Sequence, residues 1–533
     1  MDAKFSYSAN YPRAISWFVA VLSIALFLPY VALSTYGFPT LDDVVLYSRV
    51  KEDGLWSTTW WYYELVSGRI PVFFIHGALA DAVDKLGGNI WVWNQISSVL
   101  YNCLLVVGFG VLFKTLLPRL HWCFVIVLAT IPFVAVMTYH NPASGPDGLP
   151  MTADASQMLL PMVLAIYGIS FALYVLTVSA FVMFLERQSG QVAPAVALCL
   201  VSFVYLATHE VTLIPMGLFL IILAILSLDF DTRERRFSII FPFNRLTLGI
   251  SLRPVFDNRI FIVTMVAQGV LLGASAAIHV FSPSVAARAS YWPAKMSIWD
   301  ALGAAIPPFL TMLGDLVSVA KPFFILLFFL VLFLARTTPM RRILHGHNRH
   351  LLLVPMVTFL IIAFVSLVAS MVMVARPIPR VQHYNMQYGL VAVSCLAIYL
   401  ANGPLLGWLT GKTASRLAAF AMIGLFAAFA GDPWYRQAVN VAMGSGYRYS
   451  QSIGERVDAL SQGKGRIVEV AELKRPPPLV YPIFHDATTE LYFHSLLAKA
   501  FDQQKVIFIP CGRTTTPKIC HYQGHIVRSN NRR

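Results

Sequence analysis

Apolar runs of about 20 residues recur along most of this chain, and they leave few folds open to it. A backbone amide in hydrocarbon has no water to bond. A segment that crosses a bilayer must therefore close its own hydrogen bonds as a helix, or share them in a sealed barrel. The runs are continuous rather than alternating, which selects helices. Mean hydropathy is +0.66. Only 12% of the 533 residues are charged, and a soluble chain carries roughly twice that fraction. The sequence predicts an all-α polytopic membrane bundle over residues 1–431, with spans near 14–34, 90–112, 121–138, 158–185, 192–208, 211–228, 260–281, 322–335, 350–375, 386–401 and 415–431. The first run follows Lys4 and Arg13, lacks a small-residue cleavage site and leads into an acidic loop, so it reads as a signal anchor.

Basic residues set the expected orientation. Eleven spans with the N-terminus inside put seventeen Lys and Arg in inside segments and nine in outside segments before residue 432, although the outside loops are longer. The net charge of +14 is spread over short loops between spans, so no nucleic-acid partner is expected; the partner is the lipid bilayer. Residues 297–320 are apolar, but Pro307 and Pro308 interrupt them and Asp300 and Asp315 flank them. They read as a broken or interfacial helix on the outer face.

After Gly431 the composition turns polar. Residues 432–533 read as a small extracytoplasmic α/β domain, with strands at Arg466–Val470 and Val506–Pro510 and helices at Ser452–Leu460 and Thr488–Phe501. Cys103, Cys123, Cys199 and Cys395 lie in spans as packing residues. Cys511 and Cys520 bracket GRTTTPKI in the outside domain, where an oxidising compartment favours a bridge between them.

No P-loop, GxSxG, HExxH or CxxC motif is present. The chemistry-bearing residues gather instead in the outer loops. The first loop, 35–89, holds Asp42 and Asp43 directly after a span, then the aromatic run Trp56, Trp60, Trp61, Tyr62 and Tyr63, then Arg69 in SGRIP. Two short helices lying on the membrane are expected there. Carboxylates at a membrane boundary are costly without a partner or a role, although an acidic pair can simply cap a helix. His209 and Glu210 sit at a tight return between two spans. They read as a capped helix end, as divalent-metal ligands, or as groups that orient an acceptor hydroxyl. Arg288, Lys295, Arg376 and Arg380 lie outside, against the positive-inside trend. They either snorkel to headgroups or bind an anion, for which arginine has the matching fork.

The layout resembles the GT-C class of membrane glycosyltransferases. The resemblance rests on PTLDDVVLYSRV followed by SGRIPVFFIH, on SPSVAAR ending at Arg288, and on IVEVAELKRPPPLVYPIFHDATTE in the C-terminal region. It implies a bacterial inner-membrane, multi-pass enzyme that uses a polyprenyl-phosphate-linked sugar and inverts the anomeric centre. The acceptor would be a cell-envelope glycan, lipid or protein. Asp42 or Asp43 would be the general base, and Arg69, Arg288, Lys295, Arg376 and Arg380 would meet the donor phosphate. His209 and Glu210 would serve the acceptor or a metal, and any cofactor would be a divalent cation, Mg or Mn. Two alternatives stay open: a secondary transporter, which would carry ionisable groups at mid-span, and an O-antigen-type polymerase or ligase, which would need a larger basic late loop. The topology has a direct test. Reporter fusions after Gly431 are expected to be active only on the non-cytoplasmic side; activity in the cytoplasm instead would remove the eleven-span arrangement.

Overall fold

The computed structural model describes residues 13–35, 41–138, 162, 164–186, 192–227, 239–241, 244–246, 259–285, 295–318, 321–341, 344, 346–375, 379–429, 467–471, 505–509 and 527–529. Among them the chain forms fifteen α-helices. Each predicted apolar stretch carries a helix among the described residues: α1 (Arg13–Ser34), α5 (Ile90–Leu116), α6 (Trp122–Thr138), α7 (Ser170–Glu186), α8 (Val192–Leu206), α9 (Leu213–Ser227), α10 (Arg259–Val280), α12 (Lys321–Thr337), α13 (Val354–Val374), α14 (Pro379–Ala401) and α15 (Gly411–Phe429). Four helical stretches among the described residues are long and apolar enough to cross a membrane: Ile90–Leu116, Ala165–Glu186, Ile260–Val280 and Arg349–Met373. The core runs through the bundle and includes Tyr101, Phe113, Phe171, Tyr205, Leu330 and Tyr388, all nearly or fully buried. Large apolar side chains also face outward, such as Trp17, Phe18, Leu200 and Phe420, which suits a protein whose solvent there is lipid.

The first loop departs from expectation. It holds three helices rather than two: α2 (Leu41–Asp53), α3 (Leu55–Leu65) and α4 (Ile70–Lys85). Gly54 makes the extra corner. Its φ of 82° and ψ of 165° lie in a region that only glycine enters cheaply. Its N–H still closes α2 on Val50 O at 3.0 Å, and its carbonyl opens α3 by accepting from Thr58 N at 3.0 Å. Tyr47 of α2 ties the corner shut by donating to Asp84 of α4 at 3.0 Å, and the Arg49 guanidinium lies 3.8 Å over the Trp61 ring of α3.

The stretch expected to be broken at Pro307 and Pro308 is one continuous helix, α11 (Ile298–Ser318). The two prolines remove two backbone donors. The helix continues because Ala301 and Ala305 seat it against Leu367, Val368 and Met371 in one buried cluster. Between α6 and α7 lies a π-helical turn, Leu164–Ile169.

Arginines fasten a second end of the bundle. Arg341 donates through its backbone N–H to Leu116 O at 3.0 Å and through Nε to Thr115 O at 2.6 Å, and it pairs with Glu186. Arg336 donates to Leu409 O at 3.1 Å and to Ala401 O at 3.2 Å. Arg341 thus joins the ends of α5 and α7, and Arg336 joins the end of α12 to that of α14.

Two small sheets complete the described structure. β1 (Ile239–Phe241) and β2 (Asn244–Leu246) pair antiparallel. In the other sheet β3 (Ile467–Ala471) is central, parallel to β4 (Lys505–Ile509) and antiparallel to β5 (Val527–Ser529). β3 and β4 lie within one residue of the two strands read from the sequence. The expected C-terminal helices and the pair Cys511 and Cys520 lie outside the described residues.

The Gly54 corner is testable. Gly54→Ala is expected to destabilise the protein by about 1–3 kcal/mol, read as a lower unfolding midpoint in detergent. Gly411→Ala, where an added Cβ meets nothing within 4 Å, should leave the midpoint unchanged or raise it.

Candidate functional site

Asp42 and Asp43 both lie in the first turn of α2, where carboxylates complement the helix dipole. Successive residues on a helix point about 100° apart, and the two side chains diverge accordingly. Asp42 is exposed, and Asp43 is fully buried. The phenol of Tyr62 donates to the backbone carbonyl of Asp42 at 3.4 Å, and its ring stacks on Phe73 of α4 at 4.3 Å. The start of α2 is thereby pinned to both α3 and α4.

Asp43 faces inward onto His76, which sequence reading passed over. His76 Nε2 lies 3.4 Å from Asp43 Oδ1, and its Nδ1 lies 2.8 Å from the hydroxyl of Tyr101 on α5. The imidazole rests against Trp93, centroid to centroid 4.5 Å. Trp93 and Tyr101 are eight residues apart on α5, about two turns, so both meet α4 from one face. Aspartate, histidine and tyrosine therefore form a continuous buried chain from the first turn of α2 through α4 to α5. The available signal was a lone ionisable residue inside the apolar run IPVFFIHGALA. Asn102 adds to the polarity on this side of α5, as it is completely buried with its amide oxygen and nitrogen unbonded.

A second cluster forms where three turns converge. Arg69 at the start of α4 donates to Glu210 Oε2 through Nε at 3.1 Å and through Nη2 at 2.9 Å. Ser67 reaches Oε1 of the same carboxylate at 3.5 Å. His209 accepts the Val211 N–H at Nδ1, 3.1 Å away, so a neutral ring carries its proton on Nε2. The contact of 3.4 Å between Nδ1 and Glu210 Oε2 then joins two acceptors and bonds nothing. The ring of Tyr167, on the π-helical turn, lies 5.5 Å from His209.

The third turn is the end of α10. His279 Nε2 donates to Leu206 O at 3.1 Å, and Ser275 donates to the same carbonyl at 2.7 Å. These bonds satisfy an end of α8 that would otherwise be orphaned. The His279 ring then abuts the SGR turn. A Cβ on Gly68 would lie 3.1 Å from His279 Nδ1, so a larger residue here would require the His279 ring to shift by a few tenths of an ångström. Beyond α10, Ser282 donates to Tyr63 O at 3.1 Å and shares a 2.6 Å bond with Ser284. The SPSVAAR segment thus begins against the C-terminal end of α3.

The structure brings together Arg69, His209 and Glu210, and it places Asp43 in contact with His76. Arg69 and His76 are seven residues apart on α4, so the two clusters lie about 10 Å from each other along one helix. Lys295 is exposed, and its N–H donates to Val372 O at 2.8 Å near the end of α13. Arg288 and Arg376 lie outside the described residues, and of Arg380 only the backbone, in the first turn of α14, is described. Among the described residues no three His, Cys, Asp or Glu side chains group as metal ligands.

No protein-family model matches this chain, and no curated protein sequence matches it. The Arg69–Glu210 pair can be weighed directly. Arg69 is mostly buried at 14% exposed and Glu210 is half-buried at 36%, so water screens one partner only in part. A double-mutant cycle of Arg69→Ala and Glu210→Ala in thermal or denaturant unfolding is expected to give a coupling of about 0.5–1 kcal/mol. Strict additivity would mean that the two turns dock without this pair.

Proposed function

We propose that this chain is a GT-C-type glycosyltransferase of the bacterial inner membrane. It takes a sugar from a polyprenyl-phosphate carrier and passes it to a cell-envelope glycan, lipid or protein on the outer face. The observation that carries the reading is the split acidic pair: an exposed carboxylate at Asp42, directly after the first apolar helix, beside a buried one at Asp43. The site lies at a membrane boundary, where a lipid-linked donor can reach it. The eleven-span arrangement and an extracytoplasmic C-terminal α/β domain belong to this proposal. The mixed sheet of β3, β4 and β5 supports the latter.

The mechanism follows from the chemistry. Asp42 takes the proton from an acceptor hydroxyl as its oxygen attacks the anomeric carbon. The bond from that carbon to the phosphate oxygen breaks, and the polyprenyl phosphate leaves with the electron pair. The charge on the leaving phosphate calls for cationic stabilisation, for which Arg288, Lys295, Arg376 and Arg380 are the candidates. Arg69 is already engaged by Glu210, so its contribution to the anion is shared with a carboxylate. A divalent cation, Mg or Mn, would supply further charge neutralisation at the phosphate.

Purified protein, a radiolabelled polyprenyl-phosphate sugar and membrane extract as acceptor source provide the assay. Asp42→Asn keeps side-chain volume but cannot accept the proton, and is expected to lower transfer by about 10²–10⁴-fold with folding and donor binding intact. Arg288→Ala should weaken donor binding instead. Full activity in Asp42→Asn would end the base assignment. Substrate movement driven by an ion gradient, with no covalent product from the wild type, would identify a transporter.

A further inference from the structure

The end of the bundle fastened by Arg336 and Arg341 carries charge of one sign. Arg336 holds the turn that leads from α14 into α15, through Ala401 O and Leu409 O. Arg341 holds the end of α5 and pairs with Glu186. Other cations at this end face outward. Lys412 and Arg416 are exposed on α15, four residues apart and so on one face. Ala414 and Ala418 are buried on its opposite side. Arg119 is exposed between α5 and α6. Among the described helices Glu186 is the one carboxylate at this end, and Arg341 takes it. No acidic residue lies in α15. The connection from α9 to α10, residues 228–258, returns to this end and adds no net negative charge: its sequence holds four acidic residues against five arginines.

The opposite end of α5 lies 27 residues, or about 40 Å, away, and its surface is mixed. Exposed Asp42, Glu52 and Glu64 stand there among exposed Lys51 and Lys85, and Lys85 is paired with Asp81. The single-sign surface thus belongs to one end of the bundle.

Two indoles mark the depth of that end. Trp122, at the start of α6, is 59% exposed, and Trp408, just before α15, is 73% exposed. Lys114 Nζ lies 4.8 Å from the centre of the Trp122 ring. α12 packs against both α6 and α15, so indoles and cations share one rim. An exposed indole on a membrane protein sits where hydrocarbon gives way to headgroups. Arg119 is three residues from Trp122, and Lys412 is four from Trp408, which puts these cations at the depth of headgroup phosphates. Like charges held together repel one another. A layer of anionic headgroups offsets that repulsion.

We propose that this rim is a docking surface for anionic phospholipid headgroups, with Arg119, Lys412 and Arg416 meeting the phosphates and Trp122 and Trp408 setting the depth. A zwitterionic headgroup also offers a phosphate, but it brings a cation of its own to a surface already crowded with them. The rim therefore selects lipids of net negative charge. This inference does not depend on the glycosyltransferase reading.

The experiment uses full-length protein in detergent mixed with phosphatidylglycerol or with phosphatidylcholine, and the lipid retained on the protein is counted by native mass spectrometry. The wild type is expected to retain more phosphatidylglycerol. In Lys412→Gln/Arg416→Gln that preference should fall by about fivefold for each cation removed, and adding Arg119→Gln should lower it further. Lys51→Gln/Lys85→Gln removes the same charge from the opposite end and should retain the wild-type preference. The wild type also carries a test that needs no substitution: rising sodium chloride should erode retention of phosphatidylglycerol more than that of phosphatidylcholine. Equal retention of the two lipids by the wild type would overturn the proposal, as would an unchanged preference in the triple variant. Displacement of phosphatidylglycerol by inorganic phosphate at equal concentration would also overturn it, by assigning the cations to a free ion.

Discussion

The structure depends on one shortage. In an apolar medium neither a backbone amide nor a side-chain charge can borrow a partner from solvent, so each must find one within the chain. Helices satisfy the amides along their length but leave about four carbonyls bare at each C-terminal end. Among the described residues several of those ends are met by polar side chains. Leu206 O shows the pattern: it ends α8 and accepts from Ser275 and His279 of α10 and from Thr212 of the following turn. The carbonyls of Thr115, Leu116, Ala401 and Leu409 are met in the same way by Arg336 and Arg341.

This solution has a functional by-product. Turns that must be satisfied are drawn together, and residues distant in sequence become neighbours without any dedicated motif. Arg69 and Glu210 are 141 residues apart, and Ser282 meets Tyr63 across 219. The turns dock closely: a Cβ added at Gly68 would lie 3.1 Å from His279 Nδ1. The cluster is therefore a packing junction as well as a candidate site. Arg69 neutralises Glu210 within it while remaining next to the turn that opens α4.

The helices were readable because apolar runs and helical hydrogen-bond closure are the same constraint seen twice. Asp42, Asp43, Arg69, His209 and Glu210 were readable because ionisable groups stand out against that background. Their partners were not. His76 sits in an apolar run, where a lone histidine most often reads as a core residue, and only its placement opposite Asp43 and Tyr101 gives it meaning. The third helix of the first loop was hidden because a single backbone conformation at Gly54 decides it, and composition does not encode φ. Pro307 and Pro308 misled for a related reason. Propensity argues for a break, but the seat of Ala301 and Ala305 on α13 outweighs it.

Adjacent aspartates make the last point. In sequence Asp42 and Asp43 are interchangeable. The helix turns them about 100° apart, so one is buried and the other faces outward. A buried carboxylate can reach neither an acceptor nor bulk water without moving the helix that carries it, whereas the exposed one can. Burial also ties Asp43 to an imidazole, and a group in that position acts on what surrounds it more readily than on a substrate. Their environments therefore diverge on geometric grounds before any chemistry is considered: Asp43 is packed inside against His76, and Asp42 is the carboxylate that the first turn of α2 presents outward.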